Sequence, residues 1–234
     1  MGIDETHRMI LFMLDKAQME YVSHELIDDA LHIAQMQRFM ELYGNMKEYQ
    51  PGRPIPRVAY GMTQNIHDEL RNFKETETIT TGNDGLVNFS VLTKTYAHLL
   101  GLRIVYTDVN NQERHAPVKV LSENQIAQRI NSQILAPEYN EPIALIGKSN
   151  IQLLPDQSHK VVMSYLRLPN KPKYAYTLGT DGRTITFDVT SSVDIEFPDT
   201  SYNDILMKTL NLLSVNIKDP FLNQYTEVKT QQGV

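Results

Sequence analysis

The side chains of this 234-residue chain that could do chemistry are seven histidines, 28 Asp and Glu and 22 Lys and Arg; there is no cysteine. The missing cysteine excludes disulfides, thiolate zinc sites and cysteine nucleophiles. The histidines are scattered without metal-ligand spacing. The nearest approach is Asp28, Asp29 and His32, where Asp28 and His32 stand at i, i+4. On a helix that spacing predicts a solvated face with a weak Asp–His contact in preference to a metal site. No Gly-x-Ser-x-Gly elbow is present to support a serine nucleophile. Gly82-Asn-Asp-Gly85 and Gly179-Thr-Asp-Gly182 lie between strand-like segments and lack the Lys-Ser/Thr of a phosphate loop, so both read as turns. Carboxylates are plentiful, but none is paired in a context that marks an acid or a base. The expectation is a protein with no catalytic residue, no cofactor and no metal: not an enzyme.

Aromatic and basic residues adjoin at Tyr165-Leu-Arg167 and Lys171-Pro-Lys173-Tyr-Ala-Tyr176. Strand alternation puts Tyr165 and Arg167 on one face, which a nucleic-acid platform would need. Tyrosine is favoured in strands for packing alone, so a strand with a half-buried aromatic face is the preferred reading. Net charge is −6, with 41% apolar and 21% charged residues. That balance suits a soluble globular chain and lacks the basic excess of a general nucleic-acid binder. The start, Met1-Gly-Ile-Asp-Glu-Thr-His-Arg, does not read as a secretory signal, and Ile10-Leu-Phe-Met-Leu14 is too short to span a bilayer. No membrane association is expected.

Periodicity supplies the elements that would hold these residues. Met9, Ile10, Met13, Leu14 and Ala17 make a first helical stripe. Ser23 can cap a second helix carrying Leu26, Ile27, Ala30, Leu31, Ile33 and Ala34, closing at Tyr43-Gly44. Tyr49-Gln-Pro-Gly-Arg-Pro-Ile-Pro56 must be extended, because its prolines fix φ and bias the residues before them away from helix. Thr63 can cap a short helix with Ile66, Leu70 and Phe73. The middle reads as strands. Residues 77–81 and 86–89 flank a hairpin turn, 102–107 and 115–120 flank Asn110-Asn111, and further strands are expected at 143–146, 150–154 and 160–168. Two more, at 174–177 and 184–187, flank the turn Gly179-Thr-Asp-Gly182. Ser122-Glu-Asn-Gln125 is a capping box opening a helix. Ser201 and Asp204 suggest another, before a helix whose wide apolar face carries Leu206, Leu210, Leu213 and Ile217. Periodicity leaves open whether that face packs on the chain's own core or on another subunit. The fold class is therefore α+β: a helical N-terminal region (1–76), a β-rich region of mainly antiparallel strands (77–198), a C-terminal helical region (199–225) and an extended tail (226–234), whether as one compact domain or several.

The order of these segments is similar to that of a known class. A helical pair leads to Tyr49-Gln-Pro-Gly-Arg-Pro-Ile-Pro-Arg57; later come Tyr165-Leu-Arg-Leu-Pro169, Pro172 and Tyr174-Ala-Tyr176; an acidic cap, a helix and a Gln-Gln-Gly-Val tail close the chain. This pattern resembles structural proteins of crAss-like and related tailed phages of Bacteroidetes, the kind that form portal-adjacent adaptor or ring layers in the neck. The resemblance spans nearly the whole chain and rests on structural segments, not on chemical motifs. It implies a virion protein made in the host cytoplasm. Such a subunit forms a homo-oligomeric ring, usually of twelve copies, that docks on the portal and on adjacent neck or tail proteins and passes DNA without specific binding. The candidate partner contacts are then the stiff segment with Pro51, Arg53, Pro54 and Pro56, and the tail Thr226, Glu227, Val228, Lys229, Thr230, Gln231, Gln232, Gly233 and Val234. Too polar to order alone, the tail is either a flexible, frayed end or an arm that orders against a neighbour. The alternative expectation is a phage-encoded nucleic-acid-handling or regulatory binding module.

Overall fold

The computed structural model describes residues 2–16, 22–44, 64–107, 111–132, 135–157, 159–181 and 184–217. The chain is α+β, with helices toward both ends and antiparallel strands between them. Two compact units form: Met1–Asn72 with Pro169–Val234, and Phe73–Leu168. Residues 169–198 thus share a unit with the helices.

In the helical unit, α1 (Ile3–Lys16) and α2 (His24–Gly44) precede a short α3 (64–69), and α5 (Tyr202–Ile217) packs on α2 and α1. Ser23 caps α2 as expected, its Oγ accepting the Leu26 amide at 3.3 Å. Asp194 accepts the Ile3 amide at 2.7 Å and so satisfies one of the donors at the start of α1. The face α5 buries, with Ile205, Leu206, Leu210 and Leu213, packs within the chain itself. Two details depart from the helical expectations. Met9 and Ile33 are 39% and 48% exposed, because the buried faces are rotated toward polar residues that periodicity counts as outward: Thr6 and His7 on α1, Asp28 and Gln35 on α2. The Ser201–Asp204 box does not form. Ser201 lies in a 3-10 turn (Asp199–Ser201) and its hydroxyl donates to Glu69, while Asp204 takes Arg38 at 2.8 Å. Arg38 also reaches Glu69 at 3.0 Å, so one guanidinium joins α2, α3 and α5.

In the strand unit, β1 (Lys74–Thr80), β8 (Lys160–Arg167), β3 (Tyr96–Thr107) and β4 (Glu113–Pro117) form one sheet in the order β1-β8-β3-β4. A second sheet has the order β2-β7-β6-β5, from β2 (Leu86–Asn88), β7 (Asn150–Leu154), β6 (Ile143–Ile146) and β5 (Lys119–Val120). All pairings within the two sheets are antiparallel except β5–β6. Side chains of both sheets, among them Val87, Ile104, Ile151, Leu153, Val161, Met163 and Tyr165, meet in one buried core. The capping box of α4 (Glu123–Ile130) is present: the Gln125 Oε1 accepts the Ser122 amide at 3.1 Å. The strands expected at 102–107 and 115–120 pair in part: β3 and β4 are antiparallel, with Val105 opposite His115, but Lys119–Val120 leave as β5 for the other sheet. The expected hairpin across Gly82–Gly85 does not. The turn is there, closed by the Gly85 amide on the Gly82 carbonyl at 3.2 Å with Gly85 at φ +65. Its two strands, however, pair with β8 in one sheet and β7 in the other, so the turn arches between sheets.

Candidate functional site

Residues from three separate segments, His7, the pair His24 and Asp28, and Tyr174, converge in the helical unit. Ile3, His7, Ile10 and Leu14 follow one another at spacings of four, three and four along α1, which places His7 in the middle of its buried stripe. Asp28 occupies the same kind of position on α2, between Ile27 and Leu31. His7 is 1% and Asp28 6% exposed. The Asp28 Oδ1 lies 2.9 Å from His7 Nε2, and both carboxylate oxygens accept the Tyr174 amide, at 3.1 and 3.0 Å. His7 Nδ1 is 3.0 Å from Nδ1 of His24, the first residue of α2. The rings stack: Tyr174 lies 4.6 Å from His7 and 4.5 Å from His24.

The bonding pattern assigns the protons. A carboxylate only accepts, so His7 Nε2 carries the hydrogen it donates to Asp28. In the neutral ring His7 Nδ1 is then a bare acceptor, and His24 must donate its Nδ1–H to it. That leaves His24 Nε2 as the basic nitrogen of the cluster. Burial, then the neighbouring His7, hold His24 below its ordinary value, with Asp28 pulling the other way. Burial and then the Asp4 carboxylate, which also takes a hydrogen bond, raise the Tyr174 phenol, opposed by Arg8. The solvated Asp28–His32 contact is thus replaced: Asp28 is buried and serves His7, while Asp29 faces outward to Lys171 at 2.5 Å. Among the described residues no group of three or more His, Asp or Glu is arranged to hold a metal ion. The cluster can hold and move a proton.

A two-stranded ribbon leaves the cluster. Lys173 bridges Val193, and β9 (Tyr176–Leu178) pairs with β10 (Ile185–Phe187), with Tyr176 opposite Phe187 and Leu178 opposite Ile185. Alternation therefore puts Tyr174, Tyr176, Leu178, Ile185 and Phe187 on one face. At the base of that face Phe187 stacks on Tyr174 at 5.0 Å and Tyr176 tilts on His24 at 5.6 Å. At its tip Leu178 is 60% and Ile185 44% exposed.

The strand unit holds an open cleft of about 580 Å³ between residues 89–96 and the β6–β7 turn, lined by Phe89, Tyr96, Lys94 and Lys148 among others. Its floor is the stacked pair Phe89–Tyr96, 4.4 Å apart. Tyr165 and Arg167 do not form a surface platform. Tyr165 is fully buried and donates to Glu77 at 2.6 Å, and Arg167 pairs with Glu75 and lies over the Phe73 ring. The sequence-derived contact candidates, Pro51, Arg53, Pro54, Pro56 and Thr226 through Val234, lie outside the described residues. Sequence reasoning missed His7, His24 and Tyr174. The available signal was a histidine inside an otherwise apolar helical stripe.

Among the described residues no helix is long and apolar enough to cross a membrane. No protein-family model matches the chain, and no curated protein matches it significantly.

Proposed function

We propose that this chain is an assembly subunit of a tailed-phage neck, forming a homo-oligomeric ring between portal and tail through which DNA passes. The observation that carries the reading is the β9–β10 ribbon. A two-stranded sheet is marginally stable in water on its own. This one nonetheless exposes Leu178 and Ile185 on a face whose base is packed on tyrosine and histidine rings. An apolar face held rigid at one end and uncovered at the other suits a repeated contact with the next subunit, and a heterologous contact repeated about an axis closes a ring. The order of segments that resembles neck proteins supports the same reading. So does the net charge of −6, since a channel wall must let nucleic acid slide.

The test is negative-stain microscopy with light scattering over a concentration series, alone and with portal protein. Rings that form with the native chain and are lost with Leu178→Asp/Ile185→Asp support the proposal. Deleting 226–234 should leave the fold intact and weaken attachment to the portal or the next ring. A chain that stays monomeric throughout, yet binds DNA with a steep salt dependence, would overturn the ring and favour the nucleic-acid-handling alternative.

A further inference from the structure

We propose that His7 and His24 form a proton-operated latch on the β9–β10 ribbon. The Nδ1–Nδ1 hydrogen bond at 3.0 Å needs one hydrogen and one lone pair between the two rings. The neutral pair supplies them, and so does the pair with one extra proton, because either ring can then be the acceptor. A second extra proton leaves N–H facing N–H at that distance, with two cations in stacked rings 5.3 Å apart. The bond is then lost and the rings must separate. What separates with them is set by the packing: Tyr174 stacks on both histidines, Phe187 stacks on Tyr174, and Tyr176 tilts on His24. The base of the ribbon is clamped by the ring pair that acid drives apart.

The surrounding charges do not cancel this. Asp28 faces His7 from α2 and offsets one cation, but it already accepts His7 Nε2 and the Tyr174 amide. Asp4 pairs with Arg8 at 3.0 Å on α1, and Asp29 pairs with Lys171. Glu25, beside His24 in the first turn of α2, is exposed. The Tyr174 phenol, held above its ordinary value first by burial, adds no charge in acid. One buried carboxylate therefore balances the first proton and not the second. The consequence for assembly, and only that consequence, rests on the ribbon being the subunit contact: acid should loosen the ring by removing the ordered face.

The experiment is hydrogen exchange on the full-length chain at about pH 7.5 and about pH 5, corrected for intrinsic rates, with peptides of Phe73–Leu168 as internal reference. Exchange in 174–178 and 185–187 should rise by about tenfold in acid, beyond any change in the reference peptides. In His24→Asn, which keeps an N–H near the Nδ1 position but cannot take a proton, the excess should vanish. The same excess in His24→Asn, or none in the native chain, would overturn the latch. If the variant misfolds, imidazole NMR of the native chain decides. Two linked protonation steps, the second coinciding with faster ribbon exchange, support the latch; two cationic rings with unchanged exchange sink it. Ring assembly measured across the same pH range separates the two ideas. A ribbon that loosens in a chain that never assembles removes the ring and leaves the latch, and rings with a pH-invariant ribbon do the reverse.

Discussion

Replacing Arg38 with Met should cost the helical unit about 2–4 kcal/mol, between the values for exposed and for buried ion pairs. Arg38 is a fork shared by three carboxylates: Nη2 reaches Glu69 at 3.0 Å, and Nη1 reaches Asp204 at 2.8 Å and Glu41 at 4.0 Å. The side chains of Arg38, Glu69 and Asp204 are 19%, 13% and 29% exposed, so solvent screens them only in part. At 4 Å and an effective dielectric of 20, each full pair is worth about 4 kcal/mol before desolvation is subtracted. Glu41 is 51% exposed and adds little. Removal hurts beyond the lost attraction, because Glu69 and Asp204 are left partly buried without their shared cation. Arg38→Lys keeps the charge and loses the fork, so about half the penalty should remain. Lys171→Ala is the control: its pair with Asp29 is 56% and 59% exposed, so solvent screens it and its loss should cost far less. Urea unfolding followed by helical circular dichroism gives the values, and Glu69→Gln in the Arg38→Met background should recover part of the loss. An Arg38→Met penalty no larger than that of Lys171→Ala would refute the reasoning.

Three further outcomes are expected. Leu210→Ala or Leu213→Ala, each 1% exposed, should cost about 2–5 kcal/mol in the same assay, and an unchanged midpoint would take that face out of the core. Gly85→Ala should destabilise the strand unit by about 1–3 kcal/mol, because Gly85 sits at φ +65 and an added Cβ would meet the Leu153 carbonyl oxygen at 2.7 Å; Gly101→Ala meets nothing within 4 Å and should be tolerated far better. The Tyr165 phenol, raised to about 12 by burial and then by its bond to Glu77, favours the native state fully below the ordinary value of 10 and loses that contribution as pH rises through about 12. Ultraviolet titration should therefore show a late-ionising component that moves down in Glu77→Gln; a Tyr165→Phe chain with the same titration curve would refute the assignment.

The strands were legible where local pattern and tertiary need agree. The runs at 143–146, 150–154 and 160–168 are apolar and bounded by turn residues, and they became β6, β7 and β8. The pairing of β1 with β2 was misread for a physical reason. Turn chemistry decides that the chain reverses; it does not decide which strand each arm then joins. Lys74–Thr80 buries one strongly apolar side chain, Ile79, and Leu86–Asn88 buries Val87, so neither arm offers the other a matching face. Each gains more from the long apolar strand of its own sheet, β8 or β7, and the turn becomes an arch.

The site was less legible, because periodicity treats every polar residue as outward-facing. His7 and Asp28 each break an apolar stripe, and a polar group on a buried stripe must find a partner or pay its desolvation in full. Read that way, each interruption was a demand for a contact, though the contact itself could not be named. The partners His24 and Tyr174 lie 17 and 167 positions from His7, and only the folded chain brings them within one hydrogen bond or one ring stack. The same demand links site and assembly. Asp28 satisfies its two oxygens with His7 and the Tyr174 amide, and that amide begins the ribbon whose apolar tip stands uncovered. A side chain that would ordinarily be costly inside a core therefore fixes the root of the surface through which this chain is proposed to meet its neighbours.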